Sequence, residues 1–414
     1  MTPKPTLRAF LTLPVIVSAL GYFVDIYDLV LFSIVRVPSL LALGFTQGEI
    51  ADKGLFLINI QMTGMLLGGM LWGILGDKKG RISVLFGSIL MYSLANALNG
   101  AVQNLEQYAF LRFIAGVGLA GELGVGITLV AESLPKELRG YGTMIVASVG
   151  VSGAILANLV MQTFHDWRLA YYIGGGLGLL LLSLRIKTFE SGMFGKAKES
   201  GVSRGDFFSL FTDRSRLLRY VQSVFLGFAT WYVVGILVTF SPEFAKAFGI
   251  AIEPGQEKAI GGNAIMYCYI GLTIGDFTSG MLSQLLRSRK KVLLLFFTLT
   301  FAAVTTYLFG LHGSTLTMLY LACGFLGFSV GFWAIFVTVA AEQFGTNYRA
   351  TVATTVPNFV RGALVLIALV FEWLKPQYGI VSAAFIVGTV CIAISLTALA
   401  FMPETFHKDL DYVE

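Results

Sequence analysis

The chain has little charge, few cysteines and few histidines. Of its 414 residues, 13% are charged, against about 25% in soluble globular domains, and 56% are hydrophobic. Too few polar side chains remain to cover the surface of a water-soluble fold. The mean hydropathy of +0.77 also excludes disordered, collagen-like, coiled-coil and disulfide-rich secreted chains. The composition therefore indicates a polytopic membrane protein.

The three cysteines and three histidines form no set with metal-ligand spacing. Cys268, Cys323 and Cys391 stand in apolar runs far from one another, so we expect packed thiols rather than a disulfide or a metal site. The histidines lie outside the apolar cores, and the sequence has no activated nucleophile or phosphate-binding loop. The sequence therefore predicts that the protein is not an enzyme and has no metal or organic cofactor.

Twelve apolar runs are long enough to cross a bilayer as helices of about 20 residues. They lie near residues 10–35, 54–76, 82–102, 105–131, 140–162, 168–186, 217–245, 261–285, 291–311, 315–341, 350–373 and 378–402. Strands of a membrane barrel are shorter and alternate with period two, which these runs do not. The sequence therefore predicts an all-α membrane protein with twelve transmembrane helices.

The basic residues predict the orientation of these helices. Of the 29 lysines and arginines, 21 fall in one set of alternating loops, Arg185 among them. Six fall in the other set, which includes Arg36. Because basic loops stay on the cytoplasmic side, we expect both termini to lie in the cytoplasm. We expect the membrane to be a plasma membrane of the bacterial inner-membrane type. The excess of basic residues is explained by the orientation of the helices in the membrane, so nucleic-acid binding is not expected.

The chain contains a repeat at an offset of 210 residues. Residues 131–140 read AESLPKELRG and residues 341–350 read AEQFGTNYRA, which pairs Glu132 with Glu342 and Arg139 with Arg349. The longest polar stretch separates the two copies. The predicted organisation is an N-terminal six-helix bundle (1–186), a cytoplasmic linker (187–216) and a C-terminal six-helix bundle (217–414). Parallel halves of this kind place a substrate site at their interface, near the middle of the membrane.

Three motifs carry a resemblance to a known family. The loop after the second run reads GILGDKKGR and contains Gly73, Asp77, Gly80 and Arg81. This loop resembles the signature of the major facilitator superfamily. The fourth run opens with an arginine and closes on E-x-x-P-x-x-x-R, as in its metabolite:proton symporters and sugar porters. The pair Arg349 and Arg361, twelve residues apart, is similar to its organic-ion transporters.

The resemblance implies a carrier that works by rocking of two halves, with a cytoplasmic latch that stabilises the outward-facing state. It implies a monomer in the lipid bilayer whose partner is a small-molecule substrate. Loop solubility combined with the orientation signal is the alternative reading of the latch. The latch residues would be Gly73, Asp77, Gly80, Arg81, Glu132, Arg139, Glu342 and Arg349.

A glycine motif in the fourth run has the form of a dinucleotide-binding pattern. Gly116, Gly118 and Gly121 spell G-x-G-x-x-G. A dinucleotide site needs a preceding strand and a loop that opens a helix. Because this motif lies inside an apolar run, it predicts close packing of helices instead.

Ionisable side chains within the runs are the candidates for proton coupling. A charge at this depth costs about 2.5–3.5 kcal/mol, so it usually has a partner or a function. Asp25 and Asp28 share a face of the first helix, and Arg112 opens the fourth run. Glu122 has no opposite charge within one turn and is predicted to carry a proton. Static ion pairs, such as Arg112 with Asp28, are the alternative, and for Glu122 so is a water-exposed lining.

Arg361 is the candidate for binding substrate. A guanidinium is always charged and binds a carboxylate in a fork. We expect Asn358, one turn away, and Tyr232, Trp333 and Asp28 to complete the site. The alternative is an ion pair of Arg361 with Asp25, Asp28 or Asp276. If Arg361 binds the carboxylate of the substrate, the predicted function is import of a small organic anion with protons.

Other functions remain open at this point. A proton symporter of organic cations or compatible solutes would use the buried carboxylates directly. A drug/proton antiporter is disfavoured because the fifth run lacks the Gly-Pro pair of that group. A transporter-like receptor that binds without turnover is a further alternative.

Overall fold

The structure is a computed structural model that describes residues 12–79, 81–122, 130, 134, 139–190 and 207–406. Within these ranges it leaves out the side chains of residues 13–14, 76–79, 81–83, 139–141, 143, 187–190, 346, 347 and 350. Most of the predicted linker, 187–216, therefore lies outside the described residues. The predicted domain limits remain predictions.

Seven helices of the N-terminal bundle lie within the described residues. Helix α4 begins after Asn104, whose side chain accepts a hydrogen bond from the backbone N–H of Gln107 at 2.9 Å. Such a cap satisfies an N–H group that has no partner within the helix. The helices are α1 (Leu13–Ala42), α2 (Ile50–Lys79), α3 (Arg81–Asn99), α4 (Leu105–Leu119), α5 (Arg139–Val151), α6 (Gly153–Phe164) and α7 (Trp167–Glu190).

The C-terminal bundle contains more interruptions. A 3₁₀ turn (Phe207–Phe211) and a π turn (Val233–Val238) accompany eight helices. Gly379, at φ 77°, interrupts the last helix and divides it into two membrane spans. The helices are α8 (Arg214–Leu226), α9 (Phe228–Tyr232), α10 (Ser241–Ala247), α11 (Glu257–Leu285), α12 (Arg289–Phe309), α13 (Leu316–Ser329), α14 (Trp333–Glu342) and α15 (Thr346–Phe401).

The helices account for the twelve predicted runs. Eight segments among the described residues are long and apolar enough to cross a membrane, and the last of them, Thr351–Phe401, contains the two spans divided at Gly379. The other three runs correspond to α3, α4 and α11. We number the spans 1 to 12 in chain order. Span 5 consists of α5 and α6, span 7 runs from α8 through the π turn, and span 10 consists of α13 and α14.

Glycines let neighbouring spans approach to backbone contact. A Cβ on Gly118 would lie 2.6 Å from the backbone nitrogen of Tyr92 in span 3, and one on Gly116 would collide with the carbonyl of Gln61 in span 2. A Cβ on Gly121 would lie 2.6 Å from Cβ of Ser88. The packing role predicted for the G-x-G-x-x-G pattern is therefore confirmed.

Two arginines that were assigned to loops are buried instead. Arg36 lies inside span 1 with no exposed surface, and Arg185 lies inside span 6 with 1% exposed. The loop assignment was wrong because each arginine has a carboxylate partner on a distant helix. Such a partner offsets the cost of taking the charge out of water.

Candidate functional site

Arg361 lies in a buried cluster formed by spans 7, 10 and 11. Its guanidinium carbon lies 5.8 Å from the ring centroids of both Trp231 and Trp333. The two indole rings contact each other edge to face, with centroids 6.5 Å apart. One Nη atom of Arg361 donates to Oδ1 of Asn358 at 3.4 Å. The structure thus brings together three of the predicted substrate residues and adds Trp231.

Arg361 is buried without an ion pair among the described residues. It is 1% exposed, and none of the ion pairs in this part of the chain includes it. The charge of Arg361 acts on Asp25 of span 1, which is fully buried and whose carboxylate oxygens have no hydrogen-bond partner among the described residues. A guanidinium with one long hydrogen bond to a neutral amide retains donors for an anionic ligand.

Asp28 lies in the interior of the N-terminal bundle, away from Arg361. The polar groups that act on it are Asn96 and Arg112, and a Cβ on Gly174 would collide with its Oδ1. Asp25, rather than the predicted Asp28, is the aspartate of span 1 on which the charge of Arg361 acts.

Arg112 belongs to a polar cluster around Asp28. Its guanidinium donates to Oε1 of Gln61 and lies 5.1 Å from the ring centroid of Phe32. It forms no ion pair with Asp28 within the described residues, although its charge acts on that carboxylate. The hydroxyls of Tyr108 and Tyr171, 2.7 Å apart, extend the cluster. The structure supports proximity of Arg112 and Asp28 but not a closed ion pair.

Glu122 pairs with Arg185 of span 6. One Nη atom of Arg185 donates to Oε2 of Glu122 at 3.0 Å, and the other donates to Oε1 of the same carboxylate. Both side chains are 2% exposed. This pair corresponds to the ion-pair alternative for Glu122. The absence of a partner within one turn could not exclude a partner 63 residues away.

Tyr232 does not face Arg361. Its hydroxyl donates to the carbonyl of Ala384 in span 12 at 2.6 Å, and its ring packs where a Cβ on Gly388 would stand. This contact joins spans 7 and 12 inside the C-terminal bundle. The neighbouring residue, Trp231, takes the position at Arg361 that was predicted for Tyr232.

The two bundles contact each other below Arg361, on the face that carries the basic loops. The amide nitrogen of Asn358 donates to the carbonyl of Ala120 in span 4 at 2.7 Å. Gly69 of span 2 lies against the same side chain, because a Cβ there would stand 2.8 Å from Cβ of Asn358. One turn further, Gly73 lies against Thr355. Asn358 is therefore shared between the Arg361 cluster and the contact between the bundles.

A second contact between the bundles closes the opposite face. Arg36 of span 1 binds the carboxylate of Glu243 in α10 through both Nη atoms, at 2.7 and 2.8 Å. It also donates to the carbonyl of Thr239 at 3.1 Å and lies 4.5 Å from the ring centroid of Phe240. The sequence missed this pair because its members lie 207 residues apart. The only signal was an arginine close to an apolar run.

The predicted latch is only partly described. Glu342 accepts hydrogen bonds from Arg289 at 3.2 Å and Thr405 at 2.7 Å, and Arg349 donates to the carbonyl of Phe344 at 3.3 Å. Gly73 lies in span 2 beside span 11. The remaining latch residues lie outside the residues or side chains that the structure describes, so the latch stays a prediction. They are Asp77, Gly80, Arg81, Glu132 and Arg139.

Within the described ranges, no group of three or more His, Cys, Asp or Glu side chains could hold a metal ion. The three cysteines are free and buried. The chemistry of the site therefore rests on arginines, carboxylates, amides and indoles. These groups can bind an organic ion and hold or release protons, but no described group is arranged as a nucleophile with its base.

Comparison with known proteins identifies the fold. Residues 18–367 match the family model of the Major Facilitator Superfamily. A protein of Haemophilus influenzae described as a metabolite transport protein is 28% identical over 412 residues, covering 95% of this chain and 96% of that protein. A protein of Cupriavidus pinatubonensis described as a 4-methylmuconolactone transporter is 26% identical and covers 93% and 89%.

A solved structure has the same architecture. A proton:xylose symporter bound to 6-bromo-6-deoxy-D-glucose superposes with a TM-score of 0.70 at 16% identity, covering 96% of this chain and 97% of that one. The predicted fold of twelve transmembrane helices in two six-helix bundles is therefore confirmed. The relatives are transporters of metabolites rather than enzymes. This chain belongs to the Major Facilitator Superfamily of membrane transporters.

Proposed function

We propose that this transporter imports a small organic anion together with protons, and that Arg361 binds the carboxylate of the substrate. The observation that carries the proposal is a buried guanidinium that lacks an ion pair among the described residues. Burying an uncompensated charge is costly, and a carboxylate ligand would remove that cost when it binds. The relative described as a 4-methylmuconolactone transporter supports an organic acid as the substrate.

The walls of the Arg361 cluster favour a planar carboxylate. Trp231 and Trp333 stand on the guanidinium with their indole N–H groups buried and without acceptors among the described residues. Indole rings stack on flat apolar groups, and their N–H groups can donate to an oxygen of the ligand. An aromatic or unsaturated carboxylate would use both properties.

Proton coupling belongs to the aspartates of span 1. The charge of Arg361 acts on Asp25 and that of Arg112 acts on Asp28, and none of the four carboxylate oxygens has a hydrogen-bond partner in the described part of the chain. An anion that reaches Arg361 would compete with Asp25 for the same positive charge. Protonation of Asp25 removes that competition, which links substrate binding to proton uptake.

The orientation and assembly of the transporter are part of the proposal. Both termini lie in the cytoplasm, and the carrier works as a monomer in the plasma membrane. The proposed N-terminal bundle, linker and C-terminal bundle are residues 1–186, 187–216 and 217–414. Arg36 and Glu243 then close the outer face, and Asn358 and Ala120 meet on the inner one.

One observation favours a second candidate, a symporter of organic cations or compatible solutes. Three fully buried aspartates, Asp25, Asp28 and Asp276, each have an oxygen without a hydrogen-bond partner among the described residues. Only Arg112 and Arg361 are buried arginines outside an ion pair there. A cationic ligand would balance this excess of carboxylates.

Thermal unfolding of the purified protein with matched ligands separates the candidates. Benzoate, benzamide and benzylamine share a ring and differ in charge, and betaine and xylose add a zwitterion and a sugar. A ligand that binds only the folded state stabilises it by about 2.7 kcal/mol at a hundred times its Kd. We expect stabilisation by benzoate, stronger at acidic than at neutral pH, and none by benzamide. Stabilisation by benzylamine or betaine alone would overturn the anion proposal.

Uptake into vesicles tests the coupling. We expect vesicles that contain the protein to accumulate radiolabelled benzoate above the level in protein-free vesicles when the outside is acidic, and a protonophore to abolish this excess. Asp25→Asn, which mimics the protonated carboxyl, should keep exchange of benzoate but lose accumulation, whereas Asp52→Asn, which alters an exposed carboxylate, should keep both. Accumulation that persists with the protonophore would reject proton coupling.

A further inference from the structure

Span 10 is broken in the middle of the C-terminal bundle. Helix α13 ends at Ser329 and helix α14 begins at Trp333. Between them the N–H of Phe332 donates to the carbonyl of Val330 at 2.9 Å, in a turn tighter than a helix. The first N–H groups of α14 have no partner within their own helix. In the apolar interior of a membrane protein such groups need another acceptor.

A carboxylate from span 8 supplies that acceptor. Oδ1 of Asp276 accepts a hydrogen bond from the backbone N–H of Ala334 at 3.2 Å, and the N–H of Trp333 faces the same carboxylate. Asp276 is fully buried, and its Oδ2 has no hydrogen-bond partner among the described residues. The positive end of the α14 dipole points at this carboxylate.

Glycines fix the distance between the carboxylate and the helix. Gly275, which precedes Asp276, lies against Gly331 of the break, because a Cβ on Gly275 would stand 2.9 Å from the Cα of Gly331. This close approach of the two backbones holds Asp276 beside the N-terminus of α14. Span 8 and the second half of span 10 are thereby joined at one point.

The first residue of α14 is a wall of the Arg361 cluster. Trp333 packs on the guanidinium of Arg361 and on Trp231. The direction of α14 at its N-terminus sets the position of this indole, because Trp333 is the first residue of that helix. A change in the cap would therefore move the indole relative to the guanidinium.

We propose that Asp276 is a positioning residue of the substrate site: it caps α14 and thereby holds Trp333 against Arg361. This role rests on the proposed function of Arg361 as the anion-binding residue. Asp276 acts through Trp333 and does not itself contact the substrate. Neither its position in the sequence nor its residue type indicated this role before the break in span 10 was seen.

Three variants test the proposal. Asp276→Ala removes the cap, and Asp276→Asn keeps an acceptor oxygen without the charge. Thr278→Val alters a half-buried hydroxyl of the same helix that donates only to the carbonyl of Ile274, one turn away. With benzoate as the probe, we expect Asp276→Ala to raise the Kd at least about tenfold, equivalent to about 1.4 kcal/mol. Asp276→Asn should restore most of the affinity, and Thr278→Val should match the wild type.

A second measurement does not depend on the ligand. In a chain whose other four tryptophans are phenylalanine, the emission of Trp333 reports its own surroundings. We expect Asp276→Ala to shift this emission to longer wavelength and to increase quenching by acrylamide, with Asp276→Asn close to the parent. If Trp333 emission is the same in all variants, the positioning role is rejected. If the emission of Trp333 shifts in Asp276→Ala but no carboxylate binds the wild type, the anion-binding function proposed for Arg361 is rejected. The capping of α14 by Asp276 is then still supported.

Discussion

At the scale of single residues, Arg361 combines a fixed position with a free charge. An amide one turn away and two indole rings hold the guanidinium, and each contact uses its planar shape. A lysine at this place would keep the charge and lose the planar contacts. The chemistry of the site therefore depends on arginine rather than on any cation.

Replacement of Arg361 gives the first prediction. We expect Arg361→Ala to weaken benzoate binding about ten- to a hundredfold, since a hydrogen bond to a charged group is worth about 1.5–3 kcal/mol. Arg361→Lys should recover little of the loss. Isothermal titration measures both, with Arg168→Lys as the control, because Arg168 also stacks on a tryptophan but lies outside the site. Wild-type affinity in both Arg361 variants would place the anion elsewhere.

The buried pair of Glu122 and Arg185 gives the second prediction. Glu122→Gln leaves a buried arginine without its counter-charge, which costs about 3–5 kcal/mol. Arg185→Gln leaves the opposite charge and should cost a similar amount, while the double variant should be more stable than either single one. A double-mutant cycle on thermal unfolding measures the coupling. If Glu122→Gln instead unfolds like the wild type and loses only proton-driven uptake, Glu122 carries a proton as its type first suggested.

At the scale of helices, glycines determine which spans can touch. Gly271 and Gly327 bring spans 8 and 10 into backbone contact, because a Cβ on either would collide with a carbonyl of the other span. Gly324 of the same helix α13 contributes its carbonyl to the contact with Gly271, but its own Cβ position is open, since the nearest atom there is 3.6 Å away. The same helix thus offers a critical glycine and a permissive one.

These glycines make the third prediction. We expect Gly327→Ala to lower thermal stability by about 1–3 kcal/mol or to prevent folding, because a backbone carbonyl cannot move aside as a side chain can. Gly324→Ala should be neutral or slightly stabilising, since alanine favours the helix. Unfolding temperatures of the two purified variants provide the comparison. Equal losses in both variants would contradict the backbone contact.

Glu404 connects the end of span 12 with the start of span 9. It accepts hydrogen bonds from the N–H groups of Arg289 at 2.9 Å and Lys290 at 3.3 Å, and from the hydroxyl of Ser288. Partial burial raises the pKa of Glu404, but these hydrogen bonds outweigh it, so the pKa lies below its ordinary value. Because the folded pKa is depressed, its contribution to stability is present at neutral pH and is lost in acid.

The fourth prediction concerns this pH dependence. Glu404→Gln should unfold at a lower temperature than the wild type at neutral pH. The difference should begin to shrink below the ordinary glutamate pKa of about 4.3 and vanish once the pH falls below the lower folded pKa. Glu106→Gln, an exposed glutamate, is the control. A difference that stays constant into acid would show that the charge of Glu404 does not matter.

At the scale of the whole molecule, what could be predicted depends on whether the signal is local. Twelve spans follow from apolar runs, and Asn358 lies beside Arg361 because residues three apart share a helix face. Trp231 was missed in favour of Tyr232 because the sequence does not say which side of span 7 faces the other helices. The pairing of Glu122 with Arg185 depends on how two distant helices are rotated, which no local pattern encodes.

The contact of Arg36 with Glu243 gives the fifth prediction. This contact joins the bundles on the face opposite the basic loops. If the bundles separate there, Arg36 loses its described acceptors, the carboxylate of Glu243 and the carbonyl of Thr239. We expect Arg36→Ala to open this face, so that a membrane-impermeant maleimide labels Ser241→Cys faster. Ser241 is fully buried and its hydroxyl has no partner among the described residues, which makes it a mild reporter.

The matched control is an ion pair on the same face. Lys375 and Asp52 lie 3.8 Å apart across the bundles, with Asp52 71% exposed, so this pair contributes little. Asp52→Asn should leave labelling of Ser241→Cys at the parental rate. Equal rates in the Arg36→Ala and parental backgrounds would mean that other contacts keep the face closed.

Burial of Arg36 also decides how the carrier responds to dissolved ions. Its side chain is 1% exposed while that of Glu243 is 21% exposed, so mobile ions reach one partner of the pair and not the other. Screening by salt weakens exposed pairs and leaves buried ones nearly unchanged. We therefore expect the contact between Arg36 and Glu243 to weaken little as the ionic strength rises.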